Sequence, residues 1–131
     1  MPSRLPAVAL AAVATMGLAS ACEKQSPYVT LTAGGTVVKA RAARYCRGDE
    51  CSASTDQPTL EIRSGDTLGI DVPRSLAEQG WRLGRGGEIS HDHYHAEQLP
   101  QLQPGGEPIT LSIFRDERHG FGEWRFTLVV K

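Results

Sequence analysis

The sequence predicts an all-β fold, an immunoglobulin-like antiparallel sandwich of about seven strands placed after an N-terminal export signal. Three observations predict it. Apolar and polar residues alternate with period two through most of the chain, which buries one face of each segment. Turn signals rich in Gly, Pro and Asp recur about every 8–12 residues, the spacing of short sandwich strands. No stretch sustains a helical period over three turns. At 131 residues and 40% hydrophobic, the chain has room for one domain and enough apolar surface for a packed core.

The first segment is an address. Residues Met1 to Ala21 carry one charge, Arg4, ahead of an apolar run from Leu5 to Ala19. That run is shorter than the about 20 residues a membrane-crossing helix needs, and it matches the apolar region of a secretory signal. It ends in Leu18-Ala19-Ser20-Ala21-Cys22, similar to the lipobox in which small residues precede a lipidated cysteine. The usual box has Leu three residues before the cysteine; here Ala19 stands there and Leu18 one further back. The plainer alternative is ordinary cleavage after Ala19-Ser20-Ala21, which releases the same chain without an anchor. The expected organisation is a signal peptide over 1–21, a lipidated tether over 22–27 and the β domain over 28–131. Removing 21 of 131 residues leaves 110, and only Arg4 goes among the charges, so 13 basic residues face 15 acidic ones. Such a chain is expected at the outer face of the cell membrane, or secreted if it is not lipidated.

The strands follow in order. Tyr28-Val29-Thr30-Leu31-Thr32 and Thr36-Val37-Val38-Lys39-Ala40-Arg41 flank Gly34-Gly35, a hairpin signal. Cys46 and Cys51 enclose Arg-Gly-Asp-Glu; outside the cytoplasm such a pair is most simply a disulfide pinning a turn. A redox or zinc role would need two-residue spacing or a second pair, which this sequence lacks. Leu60 and Ile62, then Leu68, Ile70 and Val72, alternate with polar residues on either side of Ser64-Gly65-Asp66. Pro73 to Gly80 has room for one helical turn, with Ser75 and Glu78 spaced as a capping box. Trp81 and Leu83 start a strand that Gly84, Gly86 and Gly87 break. Ile109, Leu111 and Ile113 alternate; Arg115 to Gly122 reads as a charged loop, usually just hydrated, with partner contact through Arg115 to His119 as the alternative; and Trp124, Phe126, Leu128 and Val130 share one face.

The order of lipobox, Tyr28-Val29-Thr30, Tyr45-Cys46 to Cys51, Gly65-Asp66 and Val72-Pro73 leading to Gly80-Trp81 resembles a family of uncharacterised actinobacterial lipoproteins. The resemblance implies a small envelope β domain of unknown function and carries over no catalytic residue.

Chemistry concentrates in Ser90-His91-Asp92-His93-Tyr94-His95. In an extended chain the three histidines project from one face, about 6.6 Å apart per pair. His91 and His93 could then share one zinc or copper ion, with His95 or His119 as third ligand after a bulge or from another strand. The bland alternative is a polar, solvent-facing segment with Tyr94 turned inward. Both methionines, Met1 and Met16, leave with the signal, which removes a thioether site for Cu(I).

Enzyme chemistry finds little support. There is no Gly-x-Ser-x-Gly elbow, and the paired acids Asp49-Glu50 and Asp116-Glu117 read as solvated loops. The segment from Leu60 to Trp81, with Gly84-Arg85-Gly86-Gly87, loosely resembles chagasin-type cysteine-protease inhibitors, but that family places its glycine loop much later. A net charge of −1 and 6% aromatics disfavour nucleic-acid and carbohydrate partners. The expectation is a non-catalytic structural or protein-binding envelope module, without catalytic residues or a required cofactor, held to the membrane through Cys22.

Overall fold

A computed structural model describes residues 25–131 apart from Pro100. The expected signal over 1–21, the expected lipidation site at Cys22 and the first part of the expected tether lie outside the described residues.

Strands β1 (Tyr28–Ala33) and β2 (Thr36–Arg41) pair from Tyr28↔Arg41 to Ala33↔Thr36. Gly34 and Gly35 between them both have positive φ, which a two-residue type I′ turn requires. Next come β3 (Arg44–Arg47), β4 (Glu50–Ala53), β5 (Thr59–Ile62) and β6 (Thr67–Asp71). The short helix α1 (Arg74–Gln79) leads into β7 (Trp81–Leu83) and β8 (Tyr94–Gln98). Then β9 (Ile109–Arg115), a 3-10 turn over Glu117–His119 and β10 (Gly122–Val130) complete the domain.

The strands form two sheets. One has the order β2-β1-β6-β8; the other has β4-β3-β10-β9-β7, with β5 attached to β10. Strand β10 organises the second sheet. One edge pairs antiparallel with β9 from Glu123↔Phe114 to Leu128↔Ile109. Its other edge is shared: Gly122 and Glu123 bind β3, and Thr127 to Val130 bind β5 in parallel.

The core lies between the sheets. Val29, Leu31, Leu68 and Ile70 come from one; Leu60, Ile62, Ile113, Trp124, Phe126 and Leu128 come from the other. All are almost completely shielded from water, and each buried large apolar side chain contributes about 1.5–3 kcal/mol. The period-two pattern from Trp124 to Val130 puts these four residues inside, as expected. Trp124 satisfies its indole N–H on Pro27 O at 2.9 Å, tying β10 to the start of the chain.

The all-β sandwich follows the sequence pattern, but with ten strands among the described residues instead of about seven. The additional three are β3, β4 and β8. Cys46↔Cys51 and Arg47↔Glu50 are cross-strand pairs around a two-residue Gly48-Asp49 turn, so turn chemistry extends into a hairpin. Strand β8 (Tyr-His-Ala-Glu-Gln) has no aliphatic alternation because it is an edge strand only half buried. The capping box also fails: Pro73 is the N-cap of α1, no side chain caps it, and Ser75 lies inside the helix.

The end of β9 and the loop after it are the largest correction. Arg115 and Asp116 are buried, whereas the charge run suggested hydration. Arg115 donates from Nε to Gln79 Oε1 at 2.9 Å and from Nη1 to Cys46 O at 3.2 Å. Its guanidinium lies 4.8 Å from the Tyr45 ring centroid. Asp116 donates its backbone N–H to Gly80 O at 2.8 Å, while its carboxylate receives Arg118 Nη2 at 2.7 Å. The loop thus fastens the end of α1 to the disulfide hairpin.

Candidate functional site

The sandwich has an open edge where β7 of one sheet approaches β8 of the other. Helix α1 delivers the chain there. It stops at Gly80, whose φ of +105° suits glycine and whose missing Cβ makes room for Ile89 and His91. Trp81 follows and is fixed from several sides. Its backbone exchanges hydrogen bonds with Ser90 at 3.0 and 2.7 Å, and its indole Nε1 donates to Asp92 O at 2.9 Å. The segment 84–93 therefore folds back over β7. Gly84 permits the reversal with φ +72°, and Gly87 packs against the Leu83 carbonyl, where a Cβ would collide.

Between that segment and β8 runs a cleft of about 510 Å³ lined by Trp81, Glu88, His91, Asp92, His95 and Glu97, among others. Register explains how β8 contributes. His95 pairs with Ile70 and Glu97 with Leu68, so both side chains share the core-facing side of their sheet. His95 packs edge-on to Trp81, ring centroids 6.1 Å apart, and its Nε2 lies 3.6 Å from Glu97 Oε1. Tyr94 points the other way: it is exposed and lies over Gly69, so the inward position expected for it belongs to His95.

The histidine cluster is not one row. Only His95 is in a strand, since β8 begins at Tyr94. His91 Nδ1 lies 3.1 Å from Ala77 O on α1, and His93 Nε2 lies 3.5 Å from Asp71 Oδ1 at the end of β6. His119 sits on the 3-10 turn. His91 and His93 share a neighbouring hollow with Arg74 and Glu78, and His91 and His95 share the main cleft. Among the described residues, no group of three or more His, Cys, Asp or Glu is placed to hold a metal ion. The physical reason is the Ser90–Trp81 bridge, which turns the chain before it becomes a strand.

Chemically, the cleft combines a buried indole wall with three carboxylates, Glu88, Asp92 and Glu97, and two imidazoles. This excess of acid suits a basic side chain better than an anion. Ser90 Oγ accepts the Asp92 backbone N–H at 3.1 Å. Elsewhere, Arg118 beside Asp116 holds that carboxyl down at about 2, against the opposing effect of desolvation. Sequence reading missed Glu97; its place two residues after His95 was the available signal, once β8 is recognised as a strand. Gly84-Arg85-Gly86-Gly87 is a turn, with Gly84 N–H donating to Ser112 O at 2.8 Å. The disulfide Cys46–Cys51 is present as expected, Cα atoms 4.0 Å apart.

The family described as "Protein of unknown function (DUF2771)" matches residues 22–120, from Cys22 through β9 and the 3-10 turn. The chain belongs to this DUF2771 family. No curated protein and no solved structure matches it. This DUF2771 domain is a β sandwich carrying the Cys46–Cys51 disulfide, and among its described residues no helix is long and apolar enough to cross a membrane.

Proposed function

We propose that the protein is an actinobacterial lipoprotein, held by acyl groups on Cys22 outside the cytoplasm and acting as a non-catalytic, protein-binding envelope module. One observation carries the anchoring: the family match starts at Cys22, immediately after Ala19-Ser20-Ala21, and Ser26, four residues later, is the first buried residue among those described. At most four chain steps separate a lipid on Cys22 from this buried residue. Ser26 is fixed there by accepting the Ala42 N–H on Oγ at 2.7 Å and Arg41 Nη1 on its carbonyl at 2.8 Å. The disulfide supports an oxidising compartment. The cleft of Trp81, His95 and Glu97 is the surface with which such a module would take a basic side chain of a partner protein.

Mass spectrometry of the amino-terminal peptide tests the anchor: a diacylglyceryl mass on Cys22 is expected, and an unmodified end refutes it. Crosslinking in intact cells tests the module. Partners captured by the parent but not by Glu97→Lys are expected; identical capture by both removes the cleft from the proposal.

A further inference from the structure

We propose that the rim around the point where the chain joins the sandwich, formed by Tyr28, Lys39, Arg41, Arg44 and Phe121, rests on an anionic phospholipid surface. The inference builds on the anchoring proposed above and adds the face and lipid charge that orient the domain.

Reach comes first. Ser26 is buried and hydrogen-bonded, so only four chain steps separate it from Cys22, about 14 Å at full extension. Whatever surrounds Ser26 therefore lies within that distance, plus its own separation from Ser26, of acylated Cys22. Its surroundings are defined by contacts: Ala42 and Arg41 bond Ser26, Trp124 bonds Pro27, and Ala43 N–H donates to Glu123 O at 2.7 Å.

Two of the exposed large hydrophobic residues stand at this rim, Tyr28 at 39% and Phe121 at 37% exposure. Each carries cations. Lys39 Nζ and Arg41 Cζ lie 4.6 and 4.3 Å from the Tyr28 ring centroid, and Arg44 Cζ lies 5.9 Å from that of Phe121. An amphipathic tyrosine with adjacent cations suits the headgroup region of a bilayer, and the apolar Phe121 ring beside Arg44 can sit just below it. Of the nearby acids, Glu123 is paired with Arg125 at 2.9 Å, while Asp56, whose Oδ2 accepts the Arg41 backbone N–H, keeps its charge and leaves the rim with a net excess of cations. The opposite end of the sandwich has mixed charge, with Lys131 beside Glu61 and Arg63 near Asp66. Each basic side chain close to an anionic leaflet contributes about a fivefold preference, so three make the rim the favoured face.

Lysine acylation reads the orientation, because Lys39 is at the rim and Lys131 at the far end. The full-length protein, processed by a host that lipidates it, is reconstituted in vesicles of phosphatidylcholine alone or with about one-third phosphatidylglycerol. Labelling with an amine-reactive ester is quantified by mass spectrometry as the Lys39/Lys131 ratio. The expected result is a ratio at least about threefold lower in anionic vesicles, restored at about 1 M salt, where the Debye length is about 3 Å. Arg44→Gln should return at least half of the lost labelling. Equal ratios in both vesicles, with Cys22 shown to be acylated, overturn this inference alone. An unmodified Cys22 overturns the anchoring and the inference together. Equal protection by soluble polyphosphate in neutral vesicles assigns the rim to a soluble anion and also overturns it.

Discussion

Replacing Arg115, the last residue of β9, with methionine tests whether the charged segment at the end of that strand is a structural lock. Arg115 is only 4% exposed, and its two acceptors, Gln79 Oε1 and Cys46 O, are neutral. Hydrogen bonds from a charged donor contribute about 1.5–3 kcal/mol each, the one at 3.2 Å at the lower end. Methionine keeps much of the stem against Tyr45 and removes the cost of burying a guanidinium, which offsets part of the loss. The expected net destabilisation is about 2–3 kcal/mol. Lysine should cost about 1–2 kcal/mol, since a point donor does not reproduce the guanidinium fork that spans both acceptors. Urea unfolding at unchanged m-value reads these differences as a midpoint shift of about 1–2 M. A double-mutant cycle with Gln79→Ala should show coupling of about 1 kcal/mol. Arg115→Met within about 0.5 kcal/mol of the parent, or no coupling to Gln79, would mean that the guanidinium is hydrated and the loop holds nothing.

Four further outcomes are expected. Removing the disulfide as Cys46→Ala with Cys51→Ser should cost about 2 kcal/mol and lower Tm by about 8 °C by calorimetry, with hydrogen exchange accelerating in β3 and β4 but not in β10. Arg118 depresses the Asp116 carboxyl from its ordinary 3.8 to about 2 in the folded chain. Its stabilisation is therefore complete above about pH 4 and lost as pH falls through about 2, and Asp116→Asn should abolish that part of the acid-unfolding curve. Gly87→Ala should disturb the cleft, because the new Cβ meets the Leu83 carbonyl; amide shifts from Trp81 to His95 with an intact core in NMR spectra would show this. Isothermal titration of Zn²⁺ or Cu²⁺ should show weak binding that is unchanged by His91→Ala with His93→Ala, and a clear loss of affinity would restore a shared metal site there.

Local pattern carried most of the fold. Alternation in Val29-Leu31, Leu60-Ile62, Leu68-Ile70 and Trp124 to Val130 marks strands because a pleated backbone sends successive side chains to opposite faces. Gly34-Gly35 announces its hairpin because both positions need positive φ. Cys46 and Cys51 identify each other by proximity in the chain and the chemistry between them.

What sequence left undecided depends on which distant elements meet. Arg115 and Asp116 look hydrated in one dimension; only the arrival of Gln79, Gly80 and Cys46 from elsewhere gives them partners and permits burial. His91, His93 and His95 look like one set of ligands until the Trp81–Ser90 bridge bends the chain and gives each a different neighbour. The cleft likewise exists because β7 and β8, on separate sheets, end at the same open edge. Period and turn chemistry act over a few residues and are written in order along the chain; burial of charge and the shape of a cleft are set by contacts across dozens of residues, which only packing brings about.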